Sequence, residues 1–256
     1  MKRASIHVGT CGFSYRDWLG SFYPQFCPEA DFLRCYALRF SSVELYSTFY
    51  RIPTKEQVRQ WDKVTPDQFR FAARFPRGVT HEGDLESRVN DVARFLRAIS
   101  PLGGKLGPLL LQFPGSFKPD RADMLMAILD AVPHRYTVSV EFRCGEWLTD
   151  EILSEFASRK VGVCFTESPN VPKVARRTSS HVYMRLVGDC SAITEDFSYV
   201  RNDRWDELQE WEDLAVNCAA DNAEVFVFFS NHYSGHAPST ALDFREKLDR
   251  RLVRVS

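Results

Sequence analysis

Charged and amide side chains stand at the ends of short apolar runs along the whole chain. The set comprises Glu44, Arg74, Gln112, Glu141, Arg143, Glu167, Arg185 and Asn231. Arginine offers a planar fork of N–H donors that matches phosphate and carboxylate groups, and a glutamate can exchange protons with a bound substrate. If the apolar runs are parallel strands of one barrel, these side chains meet at one rim, where barrel enzymes keep their catalytic groups.

The arginines are the predicted anion ligands. Arg74, Arg143 and Arg185 are expected to hold the anion and to stabilise negative charge that develops during reaction. Arg51 lies just beyond the second predicted strand and joins them as a substrate-binding residue. The sequence therefore predicts an anion pocket, although the net charge of the whole chain is only -1.

A structural role for the same arginines is the alternative. In that interpretation Arg143 neutralises Glu141 or Glu44, and Arg185 neutralises Glu167. Internal ion networks and functional sites both contain perturbed charged groups. The residue types alone leave both interpretations open.

The acidic residues and one histidine are the candidates for proton transfer. Glu141 is the predicted general base, Glu44 orients it or a water molecule, and His81 is the predicted acid. Together with Glu167 these groups could instead hold a divalent metal. Their spacing forms no compact metal motif, so a metal is the secondary hypothesis and the cofactor is left unassigned.

Amide and aromatic side chains would position the substrate. Gln112, Asn231 and Trp147 are assigned to substrate binding, and further aromatic residues occur in the predicted rim loops. Aromatic faces beside arginines suit a sugar ring or a nucleobase. The alternative is a hydrophobic lid over the top of the barrel.

Strand-like and helix-like segments alternate and would place these side chains. The predicted strands are 6–10, 43–45, 69–74, 109–113, 136–142, 161–166, 181–186 and 224–229, and the predicted helices are 31–40, 55–64, 86–99, 121–131, 149–160, 203–220 and 238–248. Such alternation predicts an α/β protein with a parallel sheet. Eight units in about 250 residues predict a TIM-like (β/α)8 barrel. We expect one domain over 1–256, with a loop replacing a helix at 168–180.

Composition and sequence features argue against some classes of protein. No apolar stretch is long enough for a transmembrane helix, so we expect no membrane partner. Seven cysteines without paired spacing, and a start that lacks signal-peptide features, predict a cytoplasmic protein with reduced thiols. The near-neutral net charge gives no overall field for nucleic acid. Nucleic-acid binding would therefore depend on the local arginine cluster.

Several sequence blocks resemble the DUF72 (YecE-like) family. They include Gly9-Thr10-Cys11-Gly12-Phe13-Ser14-Tyr15, Val43-Glu44-Leu45, Thr48-Phe49-Tyr50-Arg51, Lys105-Leu106-Gly107-Pro108-Leu109-Leu110-Leu111-Gln112-Phe113-Pro114, Val140-Glu141-Phe142-Arg143 and Tyr183-Met184-Arg185-Leu186. The resemblance covers nearly the whole chain. It implies a TIM-like barrel, and it implies no particular activity because the family carries no established one.

The chain departs from the usual family pattern at five positions. Tyr46 stands where the family usually has Asn, Arg74 replaces a Lys, and Glu167 lies near a usual Asp. Val187 replaces a His and Ser230 replaces an Asn. At position 74, arginine keeps the positive charge of the usual Lys. It cannot replace a Lys that served as a proton carrier or nucleophile.

Three functions fit these observations. The leading hypothesis is a hydrolase of an anionic, phosphate-bearing small molecule or phosphodiester. The second is an isomerase or lyase acting on a phosphorylated sugar, which product analysis would distinguish. The third is a non-enzymatic protein that binds a nucleotide or nucleic acid, with affinity that falls steeply with salt and without turnover.

Overall fold

Eight parallel strands form one sheet that curls into a nearly closed barrel, as predicted. The computed structural model describes residues 5–168, 171, 173 and 176–254. The strands are β1 (Ile6–Thr10), β2 (Ser42–Leu45), β3 (Arg70–Arg74), β4 (Leu106–Phe113), β5 (Val138–Phe142), β6 (Gly162–Glu167), β7 (His181–Leu186) and β8 (Glu224–Phe229). Their order in the sheet is β1-β8-β7-β6-β5-β4-β3-β2. Parallel pairing requires the crossover connections that the helices supply.

The helices lie in the connections between the strands. They are α1 (Phe32–Ala37), α2 (Lys55–Val64), α3 (Arg77–Thr80), α4 (Leu85–Ile99), α5 (Ala122–Asp130), α6 (Asp150–Arg159), α7 (Trp205–Ala220), α8 (Asn231–Ser234) and α9 (Ala237–Arg254). Thr54 caps α2 in a capping box with Gln57. The described residues between β6 and β7 contain no helix, as expected for 168–180. In the described ranges, no helix combines the length and apolarity needed to span a bilayer.

The barrel has a seam between β1 and β2, where Cys11, the residue after β1, forms one isolated bridge with Glu44 and the described residues form no ladder. The Tyr36 hydroxyl of α1 fills this seam. It accepts the Thr10 backbone N–H at 2.9 Å and donates to the Ser42 carbonyl at 2.9 Å. Gly9 permits the close approach, because a Cβ there would lie 2.1 Å from the Ser42 oxygen. A side chain thus closes the barrel where backbone pairing stops.

The interior of the barrel is small and becomes polar towards the carboxyl ends of the strands. Its apolar members form a cluster separate from the main core between strands and helices: Cys11, Ala72, Leu110, Cys164, Tyr183, Phe226 and Phe228. Side chains alternate between the two faces of a strand. The residue two positions after each interior strand residue therefore also points into the barrel. This rule places Arg74, Gln112 and Arg185 above Ala72, Leu110 and Tyr183. The apolar interior therefore supports a charged layer at the rim.

Candidate functional site

A buried guanidinium occupies the centre of the charged layer. Arg185 binds Glu44 with two donors, Nε at 2.8 Å from Oε2 and Nη2 at 3.0 Å from Oε1. Its Nη1 donates to Glu141 Oε2 at 2.9 Å. The Tyr183 hydroxyl donates to Glu44 Oε2 at 2.8 Å. All four side chains are buried, and such bidentate, charge-assisted contacts are stronger than neutral hydrogen bonds.

Arg143 lies at the outer edge of this network. Its Nη2 is 2.8 Å from Glu141 Oε1, and its Nη1 donates to the Ser168 hydroxyl. The contact with Oε1 is an ion pair of poor hydrogen-bond angle, since Oε1 receives no hydrogen bond from the described residues. The Arg143 side chain is 24% exposed, whereas that of Arg185 is 3% exposed. Arg143 is therefore the cation of this network that solvent reaches most readily.

Arg74 lies on the other side of the network beneath an aromatic ring. Its Nη2 donates to Gln112 Oε1, and the Gln112 amide donates to the Phe113 carbonyl at 2.7 Å. The Arg74 Cζ lies 3.6 Å from the centre of the Phe49 ring. Within the described residues, the buried Nε of Arg74 has no hydrogen-bond acceptor. An unpaired buried N–H of a cation is costly, so this group is an open donor.

The electrostatics of the layer leave an excess of positive charge. Three guanidiniums, of Arg74, Arg143 and Arg185, face two carboxylates, of Glu44 and Glu141. Burial alone would raise the pKa of Glu141, but Arg185, Arg143 and Arg74 outweigh it and lower that pKa. Burial and the neighbouring Arg185 lower the pKa of Arg74. Arg185 behaves oppositely, because Glu44 and Glu141 overcome its burial and raise its pKa well above the usual value.

Aromatic residues form a wall beside Arg74. The hydroxyls of Tyr46 and Tyr50 are 3.0 Å apart, and Tyr50 is 66% exposed. Phe49 contacts His81 edge to face, with ring centres 5.1 Å apart. Burial, together with Arg74 and two further arginines, lowers the pKa of His81 to about 4. His81 is therefore near the site, and it is neutral at pH 7.

Glu167 is not part of this cluster, although the sequence placed it there. Thr166 is the register partner of Arg185, so it is Thr166 that faces the barrel interior, and Glu167 faces the helix layer. Glu167 Oε2 accepts from the Trp211 indole at 2.5 Å, and Glu167 Oε1 is 3.4 Å from Arg204. The expected Arg185–Glu167 pair is therefore wrong. Of the two partners considered for Arg143, Glu141 and Glu44, the structure pairs it with Glu141.

Among the described residues, the Asn231 side chain makes its hydrogen bonds outside the charged layer. Asn231 begins α8 beside the rim, and its Oδ1 accepts from the Trp18 indole at 3.2 Å and from the Ala237 backbone N–H at 3.1 Å. This side chain therefore ties the aromatic loop after β1 to the last two helices. Its buried Nδ2 has no acceptor among the residues described.

Two further predicted residues form no hydrogen bond or ion pair with the charged layer in the described part of the chain. Trp147 is fully buried between Phe117 and Phe142, with ring centres at 5.3 and 4.8 Å, and its indole donates to the Phe117 carbonyl. Arg51 is exposed at the surface, and its side chain makes no hydrogen bond or ion pair with the part of the chain that is described. A solvent-side ligand at the charged layer would not touch the Trp147 ring.

The carboxylates do not form the metal-ligand grouping considered from the sequence. Arg185 stands between Glu44 and Glu141, and Glu167 lies elsewhere. In the described ranges, no three His, Cys, Asp or Glu side chains are arranged to hold a metal ion. The charges of the two central carboxylates are instead compensated by arginine.

Two residues of the network were not predicted from the sequence. Tyr183 precedes Arg185 by two positions, so strand alternation could have placed it in the interior. Ser168 contacts Arg143 from the loop after β6, and no periodicity predicts that contact. Of the departures from the family pattern, Ser230 accepts the His232 backbone N–H at 3.3 Å as the cap of α8, and Val187 is buried.

Comparison with known proteins agrees with the fold. Two curated relatives, the UPF0759 protein YecE from Escherichia coli strain K12 and from strain O157:H7, are 36% identical over 108 residues. The matched segment spans 42% of this chain and 40% of the length of those relatives. A DUF72 family protein from Thermotoga maritima MSB8 superposes with a TM-score of 0.82 and 29% identity, covering 95% of this chain and 99% of that one.

A second solved structure and a family model extend the comparison to nearly the whole chain. A DUF72 family protein from Enterococcus faecalis V583 shares the fold, with a TM-score of 0.80 and 22% identity over 97% of this chain and 99% of that one. The family model described as "Protein of unknown function DUF72" matches residues 7–255. The chain therefore belongs to the DUF72 family of TIM-like barrels.

Proposed function

We propose that the charged layer at the rim binds a small anion that carries a phosphate or carboxylate group. The observation that carries this proposal is the buried Nε–H of Arg74, which points at no acceptor in the described structure. It belongs to a cluster in which three guanidiniums face two carboxylates. A bound anion would supply both the missing acceptor and the missing negative charge.

The three arginines then have different tasks. Arg185 is the internal counter-ion, because its donors are already engaged by Glu44 and Glu141. Arg143 and Arg74 flank it and have unused capacity. Arg143 is reachable from solvent and Arg74 lies under Phe49, so a ligand would reach Arg143 first.

The geometry favours binding over acid–base hydrolysis. The pKa of Glu141 is lowered and one of its oxygens is held by Arg185, which makes this carboxylate a weak base. The pKa of His81 is about 4, so its imidazole is neutral at pH 7 and is poorly suited to the predicted role of general acid. We therefore place the hydrolase hypothesis second to an anion-binding function.

The aromatic wall suggests that the anion is attached to a ring. Tyr46 and Tyr50 lie beside Phe49 and Arg74, and Tyr50 is largely exposed. A sugar or aryl ring could pack on this wall while its phosphate reaches the arginines. We also propose a cytoplasmic location, supported by seven cysteines that form no disulfide in the described structure.

Calorimetric titration with inorganic phosphate and phenyl phosphate tests the proposal. The test variant is Arg143→Gln, and Arg204→Gln is the matched control because Arg204 is 27% exposed and pairs with Glu167 in a similar way. Loss of one charge-assisted contact worth about 1.5–3 kcal/mol should weaken binding at least tenfold in Arg143→Gln only. Equal affinities of wild type and both variants would contradict it.

The same titration tests the aromatic wall. Phenyl phosphate should bind wild type more tightly than inorganic phosphate, because the ring buries apolar surface. Tyr50→Ala should remove this difference and leave the affinity for inorganic phosphate unchanged. If Tyr50→Ala still prefers phenyl phosphate to inorganic phosphate, the ring of the ligand does not pack on Tyr50. Release of phenol during incubation would restore the hydrolase hypothesis.

A further inference from the structure

Two half-buried cysteines face each other outside the proposed anion site. The sulfurs of Cys27 and Cys35 are 3.4 Å apart, in hydrogen-bond contact. Cys27 lies in the loop after β1, and Cys35 lies in α1. Both line a surface cleft of about 450 Å³, together with Pro24, Phe26 and Arg34. A small reagent in this cleft could therefore reach both sulfurs.

We propose that Cys27 and Cys35 form a dithiol site for reversible oxidation by low-molecular-weight disulfides. A disulfide bond is about 2.05 Å long, so the sulfurs need to approach by about 1.4 Å. The loop between Pro24 and Pro28 can provide this movement, because both prolines and the intervening Phe26 are exposed. The helix that carries Cys35 can then stay in place.

The reaction is a two-step thiol–disulfide exchange. The thiolate of one cysteine attacks a sulfur of the reagent disulfide, forming a mixed disulfide and releasing the first reagent thiol. The second cysteine, as thiolate, attacks the protein sulfur of the mixed disulfide and releases the second reagent thiol. The protein loses two electrons and two protons, and the reagent disulfide is reduced to two thiols.

The environment of the pair predicts slow rather than catalytic exchange. Burial, together with the hydrogen bond that the Cys27 thiol shares with Cys35, raises the pKa of Cys27 to about 11. Little Cys27 thiolate is present at pH 7, so the rate at which Cys27 is oxidised should increase with pH up to that range. Such a pair responds to sustained oxidation.

Oxidation would connect the loop after β1 to the helix that closes the barrel. Tyr36 follows Cys35 directly, and its hydroxyl fills the seam between β1 and β2. Trp18, earlier in the same loop, donates to Asn231 at the far side of the seam. A bridge between residues 27 and 35 would therefore fasten this loop to α1, and we expect a higher melting temperature for the oxidised protein.

Incubation of the Cys190→Ser protein with oxidised glutathione tests the site, because Cys190 is exposed and would complicate the products. The expected result is a mass loss of about 2 Da, reversed by dithiothreitol. Trypsin should then release one species that joins peptides 17–34 and 35–39. Cys27→Ser in the same background should give only a glutathione adduct. Glutathione adducts without an internal link in the parent protein, or no reaction even at pH 9, would overturn the proposal.

Discussion

Arg185 and Glu44 form a buried bidentate ion pair between residues 141 positions apart in the sequence. Glu44 belongs to β2 and Arg185 to β7, and the seam beside β2 is where the sheet stops pairing. Through Glu141 the same guanidinium also holds β5. One side chain therefore connects three strands, β2, β5 and β7, at the rim.

Replacing this arginine should destabilise the protein strongly. Arg185→Met leaves Glu44 buried without its counter-ion and leaves Glu141 with Arg143 as its remaining partner. Removing one partner of a buried ion pair costs about 3–5 kcal/mol in comparable cases. Arg159→Met is the control, because Arg159 pairs with Asp130 and Glu155 at the surface and such pairs contribute about 0–1 kcal/mol. Urea unfolding of both variants measures the difference. Similar costs for the two variants would show that the central network is not structural.

Removing the Tyr36 hydroxyl from the seam should lower the free energy of unfolding by a measurable amount. Tyr36→Phe removes the acceptor of the Thr10 N–H, and an unsatisfied buried donor costs about 1–3 kcal/mol. Tyr136→Phe is the control, because Tyr136 is only half-buried and its hydroxyl meets Arg135 at the surface. Amide hydrogen exchange should accelerate at Thr10 in Tyr36→Phe alone. Unchanged protection of that amide would mean that the seam closes without the hydroxyl.

The free energy of unfolding should fall at acid pH because a histidine inside the barrel resists protonation in the folded protein. Burial lowers the pKa of His181 to about 4, and its ring contacts Ser139 and Ser179. The unfolded chain takes up this proton below its ordinary pKa of 6.5 and the folded chain does not. The free energy of unfolding therefore falls between pH 6.5 and about 4, by about 1–3 kcal/mol from this residue.

His181→Gln should reduce the slope of that part of the pH profile, because it removes one titrating ring and keeps a hydrogen-bonding side chain. His81 and His236, whose pKa burial also lowers to about 4, keep their own contributions. His134→Gln, at an exposed position, should keep the profile of wild type. The measurement is the urea midpoint at intervals from pH 7 to 4. Identical slopes for the two variants would contradict the assignment of this acid sensitivity to the interior of the barrel.

Charge and geometry at Arg74 can be separated by two substitutions. Arg74→Lys keeps the positive charge, whereas Arg74→Gln removes it. If the excess charge dominates anion binding, the Lys variant should bind inorganic phosphate within a few-fold of wild type. The Gln variant should lose at least tenfold, about 1.4 kcal/mol or more. Equal losses would show that the guanidinium geometry, rather than its charge, is required.

Most of the fold could be predicted from the sequence because strands and helices alternate regularly. The ranges predicted for β1, β7 and β8 match the structure, and α2 begins and ends at the predicted residues. The way in which the seam of the barrel is closed could not be predicted. It depends on the contact of Tyr36 with Thr10 and Ser42, and helical periodicity only assigns Tyr36 to a buried face.

The candidate site was predictable where strand alternation decides the direction of a side chain. Arg74, Gln112 and Arg185 follow interior residues by two positions, and they meet as expected. Glu167 is one position out of phase with that pattern, so counting from Arg185 through the register of β6 and β7 would have excluded it. Trp147 could not be placed, because an aromatic residue in a loop suits a lid and a core equally.

Arginine side-chain NMR during a phosphate titration tests the central claim most directly. The Nε–H of Arg74 has no acceptor in the described structure, and that of Arg185 is already 2.8 Å from Glu44. The account predicts a saturable shift of the Arg74 Nε–H signal, while the Arg185 signal stays constant as an internal control. A linear drift of surface arginine signals with a constant Arg74 signal would contradict an anion site at this rim.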